Sequence, residues 1–155
     1  DPDINATAVT VVSGTQITCT FDLTGAAAGP WDIVVTDAFA QSTTLPKGFM
    51  VTNPAPILTG LSHTKTRPGG GEFGLTVKGL HFINGASTVH WNGEARATRY
   101  VSPIELVATI LSSDLAAVGS FPVTVVNPPP GGGTSNALNL MVFQQLLYLP
   151  IILNR

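Results

Sequence analysis

The chain has 155 residues, of which only 10% are charged, and its formal net charge is −2. A hydrophobic share of 44% excludes a generally disordered chain, which would combine low hydrophobicity with high charge. Seven Lys and Arg residues do not form the basic stripe of a nucleic-acid-binding protein, and no run approaches the about 18 apolar residues of a membrane span, so neither partner is expected.

Taken in chain order, short alternating runs separated by Gly, Pro, Asn and Ser predict strands throughout, and helix-length amphipathic patterns are absent. In the first third the predicted strands are residues 8–12, 16–23, 31–36 and 48–52. The linker 53–56 contains two prolines, which favour an extended and stiff connection. Beyond it the predicted strands are residues 57–63, 72–80, 88–91, 94–102, 105–111, 119–126 and 137–143, with a helical turn at 113–118. The pattern predicts an all-β fold.

A repeat relates the first third of the chain to its last third. The matching segments are 13–21 with 102–110, 29–35 with 119–125, and 49–51 with 140–142. The constant offset of about 90 residues predicts tandem copies of one domain. The second copy has about 35 residues ahead of its first matching segment, whereas the first copy has almost none. We therefore expect residues 1–53 to be the C-terminal half of a domain, 54–143 a complete domain, and 144–155 a tail.

The second copy carries a series of motifs in a characteristic order. These are Pro56-Ile57-Leu58, then Leu75-Thr76-Val77-Lys78-Gly79-Leu80-His81-Phe82, Val89-His90-Trp91-Asn92-Gly93, Val123-Thr124-Val125-Val126-Asn127-Pro128, and a Gly-rich loop into Thr134-Ser135-Asn136-Ala137. In this order the copy resembles an IPT/TIG domain, and the first copy resembles the back half of one. The resemblance implies an immunoglobulin-like β-sandwich in tandem, with the first copy incomplete. A half sandwich cannot bury its own core, so we expect something else to complete it.

Candidate site residues are few. Trp31 and Trp91 are the only tryptophans, and each has two interpretations: an anchor in the core, which we favour, or an exposed aromatic facing a ligand such as a sugar. Cys19 is the only cysteine and alternates with Ile17 and Phe21, which predicts a small buried apolar group. No catalytic motif and no metal-ligand spacing is found, so we expect no enzyme activity, no cofactor and no bound metal.

The C-terminal tail is unusually apolar for a segment too short to span a membrane. Pro150 argues against a helix and against a central strand position. The tail either folds back on its own domain, serves as a sorting segment, or is an extended donor that docks on a neighbouring molecule. The residues expected to interact are Leu146, Leu147, Tyr148, Leu149, Ile151, Ile152 and Leu153.

Three functional hypotheses follow. We favour a non-enzymatic, extracellular structural or adhesive module of a bacterial cell-surface protein or filament, assembling head to tail through the tail. Its partners would be other protein chains: copies of itself or the rest of a multidomain surface protein. The alternative is an accessory or carbohydrate-binding domain of a larger secreted enzyme. In the third, the chain is the C-terminal piece of a long multidomain protein.

Overall fold

The computed structural model describes residues 2–144, and within them the chain is built almost entirely from β-strands. This confirms the predicted all-β class. The described residues contain no helix that is long and apolar enough to cross a membrane. The chain divides into two compact units, with the boundary between Thr52 and Asn53.

The N-terminal unit, called unit 1, consists of two antiparallel hairpins. The first joins β1 (Thr7–Ser13) to β2 (Gln16–Thr20), and the second joins β3 (Gly29–Thr36) to β4 (Ser42–Val51). Strand β4 begins earlier than predicted, because a bulge accommodates Pro46, which would otherwise interrupt the ladder.

The second unit, called unit 2, contains two larger sheets. One has the order β10-β11-β7-β5, from β5 (Ile57–Leu61), β7 (Phe73–Leu80), β10 (Thr98–Ser102) and β11 (Glu105–Ile110). The other has the order β6-β14-β12-β8-β9, with β13 added to β12. Its strands are β6 (Lys65–Thr66), β8 (Thr88–Trp91), β9 (Glu94–Ala95), β12 (Gly119–Asn127), β13 (Gly133–Thr134) and β14 (Leu138–Val142). A short 3₁₀ turn, Ser112–Leu115, precedes β12.

The core of unit 2 draws on both sheets. Alternating residues of β7, β8, β11, β12 and β14 are fully or almost fully buried, as period-2 strands with one apolar face require. The largest side chains that are fully buried in unit 2 are Leu75, Leu106, Ile110, Leu140 and, in the 3₁₀ turn, Leu115. Unit 1 has no residue in this buried class among those described.

Candidate functional site: the open apolar face of unit 1

The hairpins of unit 1 match two hairpins of unit 2 in their strand register. In the first pair, Thr10↔Thr18, Val11↔Ile17 and Ser13↔Gln16 correspond to Arg99↔Val107, Tyr100↔Leu106 and Ser102↔Glu105. In the second pair, Gly29↔Val51, Pro30↔Met50 and Trp31↔Phe49 correspond to Gly119↔Val142, Ser120↔Met141 and Phe121↔Leu140. The sequence repeat is therefore also a repeat of backbone pairing.

The neighbouring strands, however, differ between the two units. In unit 2, β11 pairs with β7 on its second edge, and β12 pairs with β8. Among the described residues of unit 1, β2 pairs only with β1 and β3 pairs only with β4. Both strands therefore present an open edge of backbone N–H and C=O groups, which is a template for pairing with another chain.

Side-chain burial shows the same difference. Leu106, Ala108 and Ile110 on β11 have no exposed surface. Their equivalents in unit 1 are exposed: Ile17 by 46% and Phe21 by 37% of the residue surface. Cys19, at the position of Ala108, is exposed as well, so the prediction that it is buried is wrong. It alternates with Ile17 along β2, as predicted, but both side chains are open to solvent.

The two hairpins of unit 1 together line a shallow groove. Its walls are almost entirely apolar and consist of Ile4, Phe21, Leu23, Trp31, Ile33, Phe49 and Val51, with Asp32 as the charged residue. Phe49 is 41% exposed although its equivalent, Leu140, is fully buried. The groove therefore has the composition of a protein core but remains open to solvent.

The polar groups beside the groove are already engaged within unit 1. A carboxylate oxygen of Asp32 accepts a hydrogen bond of 2.7 Å from the Lys47 backbone N–H, which holds the bulge in β4. The Trp31 indole Nε1–H donates to the Ala27 carbonyl over 3.0 Å. Since the indole donor is used locally, Trp31 offers the groove an apolar ring rather than a hydrogen bond.

Trp91 does not face a ligand. It is 3% exposed and stacks on Phe121 with 5.3 Å between ring centroids. Strand β8 directs it into the core of unit 2, next to β12. Of the two predicted aromatics, only Trp31 thus belongs to the open face. The predicted tail residues Leu146, Leu147, Tyr148, Leu149, Ile151, Ile152 and Leu153 lie outside the described residues.

Arg96 and Asp114 form an ion pair within unit 2. The Arg96 Nε donates to an Asp114 carboxylate oxygen over 2.8 Å, and that carboxylate also accepts from the Leu111 backbone N–H. The hydrogen bond to Arg96 lowers the pKa of Asp114, and the bond to the Leu111 N–H acts in the same direction. In the described part of the chain, no three His, Cys, Asp or Glu side chains cluster in a way that could hold a metal ion.

The histidines are also held locally. The Nδ1 atoms of His81 and His90 lie 2.9 Å from the carbonyl oxygens of Ala55 and Gly93, respectively. His63 Nδ1 lies 3.0 Å from the Ser62 hydroxyl, and its ring packs edge-on against Phe73. Each imidazole has a neighbour within its own unit, and the three do not converge on one site.

Comparison of the chain with protein-family models and with curated proteins gave no match. The open face of unit 1 is therefore the main functional feature of the described residues. Sequence reasoning named Trp31 as a candidate site residue. It placed Ile17 and Phe21 on one strand face without assigning them to a site, and it did not single out Phe49 or Val51. The repeat alignment contained the signal, because it placed these residues opposite core positions whose covering strands have no counterpart in unit 1.

Proposed function

We propose that the chain is a non-enzymatic structural or adhesive module of an extracellular surface protein or filament. In this proposal both copies are immunoglobulin-like sandwiches of the IPT/TIG type. Unit 1 is a half sandwich that is completed by strands from another polypeptide. The observation that carries the proposal is the exposure in unit 1 of side chains whose equivalents form the core of unit 2.

The energetic argument concerns the apolar surface that remains in water. Full burial of a Val, Leu, Ile or Phe side chain contributes about 1.5–3 kcal/mol. Ile17, Phe21 and Phe49 each keep between a third and a half of their surface exposed. Covering them with another polypeptide would recover part of this free energy at each position. Phe21 and Phe49 lie together in the apolar lining of the groove, and a contiguous apolar patch of this kind marks an interaction surface.

Backbone pairing supports the same conclusion. An added strand forms main-chain hydrogen bonds along an open edge, and its alternate side chains fill the pockets below. Strands β2 and β3 both offer such edges, and the groove between the two hairpins offers the pockets. Open backbone edges and an apolar groove are both suited to association with another polypeptide.

Sedimentation velocity of the full chain over a range of concentrations tests this proposal. Ile17→Asp places a charge on the inner face of β2, and Thr18→Asp places the same charge on its outer face. We expect the native chain and Thr18→Asp to associate, and Ile17→Asp to remain monomeric. A native chain that stays monomeric, together with a saturable titration by soluble polysaccharides, would favour the carbohydrate-binding alternative instead.

A further inference from the structure

A strand added to unit 1 can form its backbone hydrogen bonds either through its inward-facing or through its outward-facing residues, and we call this choice its phase. The two open edges of unit 1 require strands of opposite phase, as the equivalent strands of unit 2 show. On β7 the inward-facing residues are Phe73, Leu75, Val77 and Gly79. The Gly79 N–H donates to the Ile104 carbonyl, on the β11 side, whereas the Thr76 carbonyl accepts from the Ser62 N–H, on the β5 side. A strand that pairs with β11 therefore forms its backbone hydrogen bonds through its inward-facing residues. Its outward-facing residues point their N–H and C=O groups away from β11.

Beside β12 the arrangement is reversed. His90 on β8 faces outward, and Asn92 lies two residues after it, in the same alternating set. The Asn92 N–H donates to the Pro122 carbonyl on β12. The inward-facing Val89 directs its carbonyl to the opposite side, where it accepts from the Arg96 N–H. A strand beside β12 therefore bonds through its outward-facing residues. By the matching registers, β2 requires the phase of β7 and β3 requires the phase of β8.

The C-terminal segment of the chain fits one of these two edges. Apolar residues occupy both of its alternating sets, so hydropathy alone does not choose the phase. One set is entirely aliphatic and consists of Leu147, Leu149, Ile151 and Leu153. The other contains Tyr148, whose hydroxyl would need a partner if buried, and Pro150, which has no N–H to donate.

Pro150 selects the edge. If the aliphatic set faces inward beside β2, Pro150 lies in the outward set, whose backbone groups point away from β2, and no hydrogen bond is lost. If the same set faces inward beside β3, Pro150 falls in the set that must donate to β3. The length agrees as well: the inward positions of β7 run over seven residues, 73–79, and the aliphatic set also runs over seven, 147–153.

The chain enters unit 2 and leaves its last strand at opposite ends of β12. Asn53, where the unit begins, is hydrogen-bonded to Pro128, Pro130 and Gly132, beyond the Asn127 end of β12. Strand β14 ends with Val142 opposite Gly119, at the other end of β12. Nine residues of β12 span about 26 Å. The residues 144–146 that would link β14 to the docked segment reach only about 10–14 Å.

We propose that residues 147–153 of one molecule add as an antiparallel strand to the open edge of β2 in a second copy, with Leu147, Leu149, Ile151 and Leu153 facing inward. This assignment rests on the proposed function of unit 1 as a strand acceptor and names its partner. Repetition of this heterologous contact would give an open, head-to-tail assembly.

The test compares neighbouring isoleucines in the full chain. Ile151→Asp would place a charge against the inner face, and we expect association, measured by sedimentation velocity, to weaken by about 100-fold or more. Ile152→Asp places the same charge on the outer face, and we expect its association to remain within about threefold of the native chain. Equal effects of the two variants would overturn the phase assignment.

Cysteine cross-linking tests the register independently of stability. Cys19 matches Ala108, whose partner on β7 is Leu75, so alignment of the inward positions places Leu149 opposite Cys19. Such pairs lie about 5.5 Å apart at Cα, within the range of a disulfide. Under mild oxidation we expect Leu149→Cys to give a ladder of covalent oligomers in non-reducing electrophoresis, and Tyr148→Cys to give none.

The outcomes separate this inference from the proposed function. If the chain associates and Ile17→Asp abolishes association, but neither tail variant does, unit 1 is an acceptor for a different segment and the tail assignment fails alone. Cross-linking that is confined to monomers, independent of concentration, would also overturn it, because the donor would then be the molecule's own tail. A chain that does not associate at any concentration contradicts both proposals.

Discussion

Asn127, at the end of β12, is a buried polar hub, and its replacement should destabilise unit 2 strongly. The residue is 1% exposed, and its side chain forms three hydrogen bonds. Its amide donates to the Pro54 and His81 carbonyls over 2.9 and 2.8 Å, and its oxygen accepts from the Ser87 hydroxyl over 2.6 Å. Asn127→Leu keeps a side chain of similar shape but leaves these partners without the bonds, at a cost of about 3 kcal/mol.

Equilibrium urea unfolding of the full chain measures this loss. In a Trp31→Phe background the buried Trp91 is the only indole, so fluorescence reports unit 2. With a slope of about 1–3 kcal/mol per molar urea, the midpoint should fall by about 1–3 M. The exposed Asn139→Leu on β14 is the matched control and should leave the midpoint within about 0.3 M. A shift for Asn127→Leu no larger than that of this control would refute the hub interpretation.

Three further predictions concern other parts of the chain. Gly79→Ala should destabilise unit 2 by about 2 kcal/mol or more in the same unfolding assay, because a Cβ there would overlap the Ile57 carbonyl and the Phe82 ring. Gly74→Ala is the control, since its Cβ would meet only a methyl group of Val107, and its loss of stability should be smaller. Because the pKa of Asp114 is lowered in the fold, its contribution to the stability of unit 2 is present above about pH 4 and is lost as the pH falls through the folded-state pKa. Urea midpoints between pH 6 and 2.5 should therefore fall less steeply for Asp114→Asn than for the native chain. Parallel curves for the two proteins would contradict this. Leu106→Ala should lower the free energy of unfolding by about 2–5 kcal/mol, whereas Ile17→Ala at the equivalent position should lower it by about 1 kcal/mol or less in the monomer. Similar losses for the two variants would show that unit 1 has a core of its own.

Much of the strand pattern was predictable because alternation is a local property. Strand β8 was predicted with its correct bounds, whereas residues 94–102 were predicted as one strand and form two, β9 and β10. Strands β6 and β13 were missed, since two-residue strands contain no period to detect. Strand β6 also depends on a partner distant in sequence, through the pairing of Lys65 with Met141.

The candidate site was predictable in outline only. Alternation correctly placed Ile17, Cys19 and Phe21 on one face, but burial requires a covering strand, which no local pattern reveals. The same limit applies to the tryptophans: Trp31 and Trp91 both lie on strands, and only the presence of a completed opposite sheet makes one of them inaccessible. The edge preferences of β2 and β3 depend on hydrogen-bond direction, which appears only in the folded backbone.

The parallel pairing of β6 with β14 has a mechanical consequence. Strand β6 lies near the beginning of unit 2 and β14 at its end, and the pairs Lys65↔Met141 and Thr66↔Val142 run side by side in the same direction. The Met141 and Phe143 N–H groups donate across this seam to Thr64 and Thr66. Tension applied at the two ends of the unit would therefore slide the strands past each other and load these bonds together in shear, instead of opening them one at a time. A unit built this way would resist pulling forces at the seam where β6, its second strand, meets β14, its last.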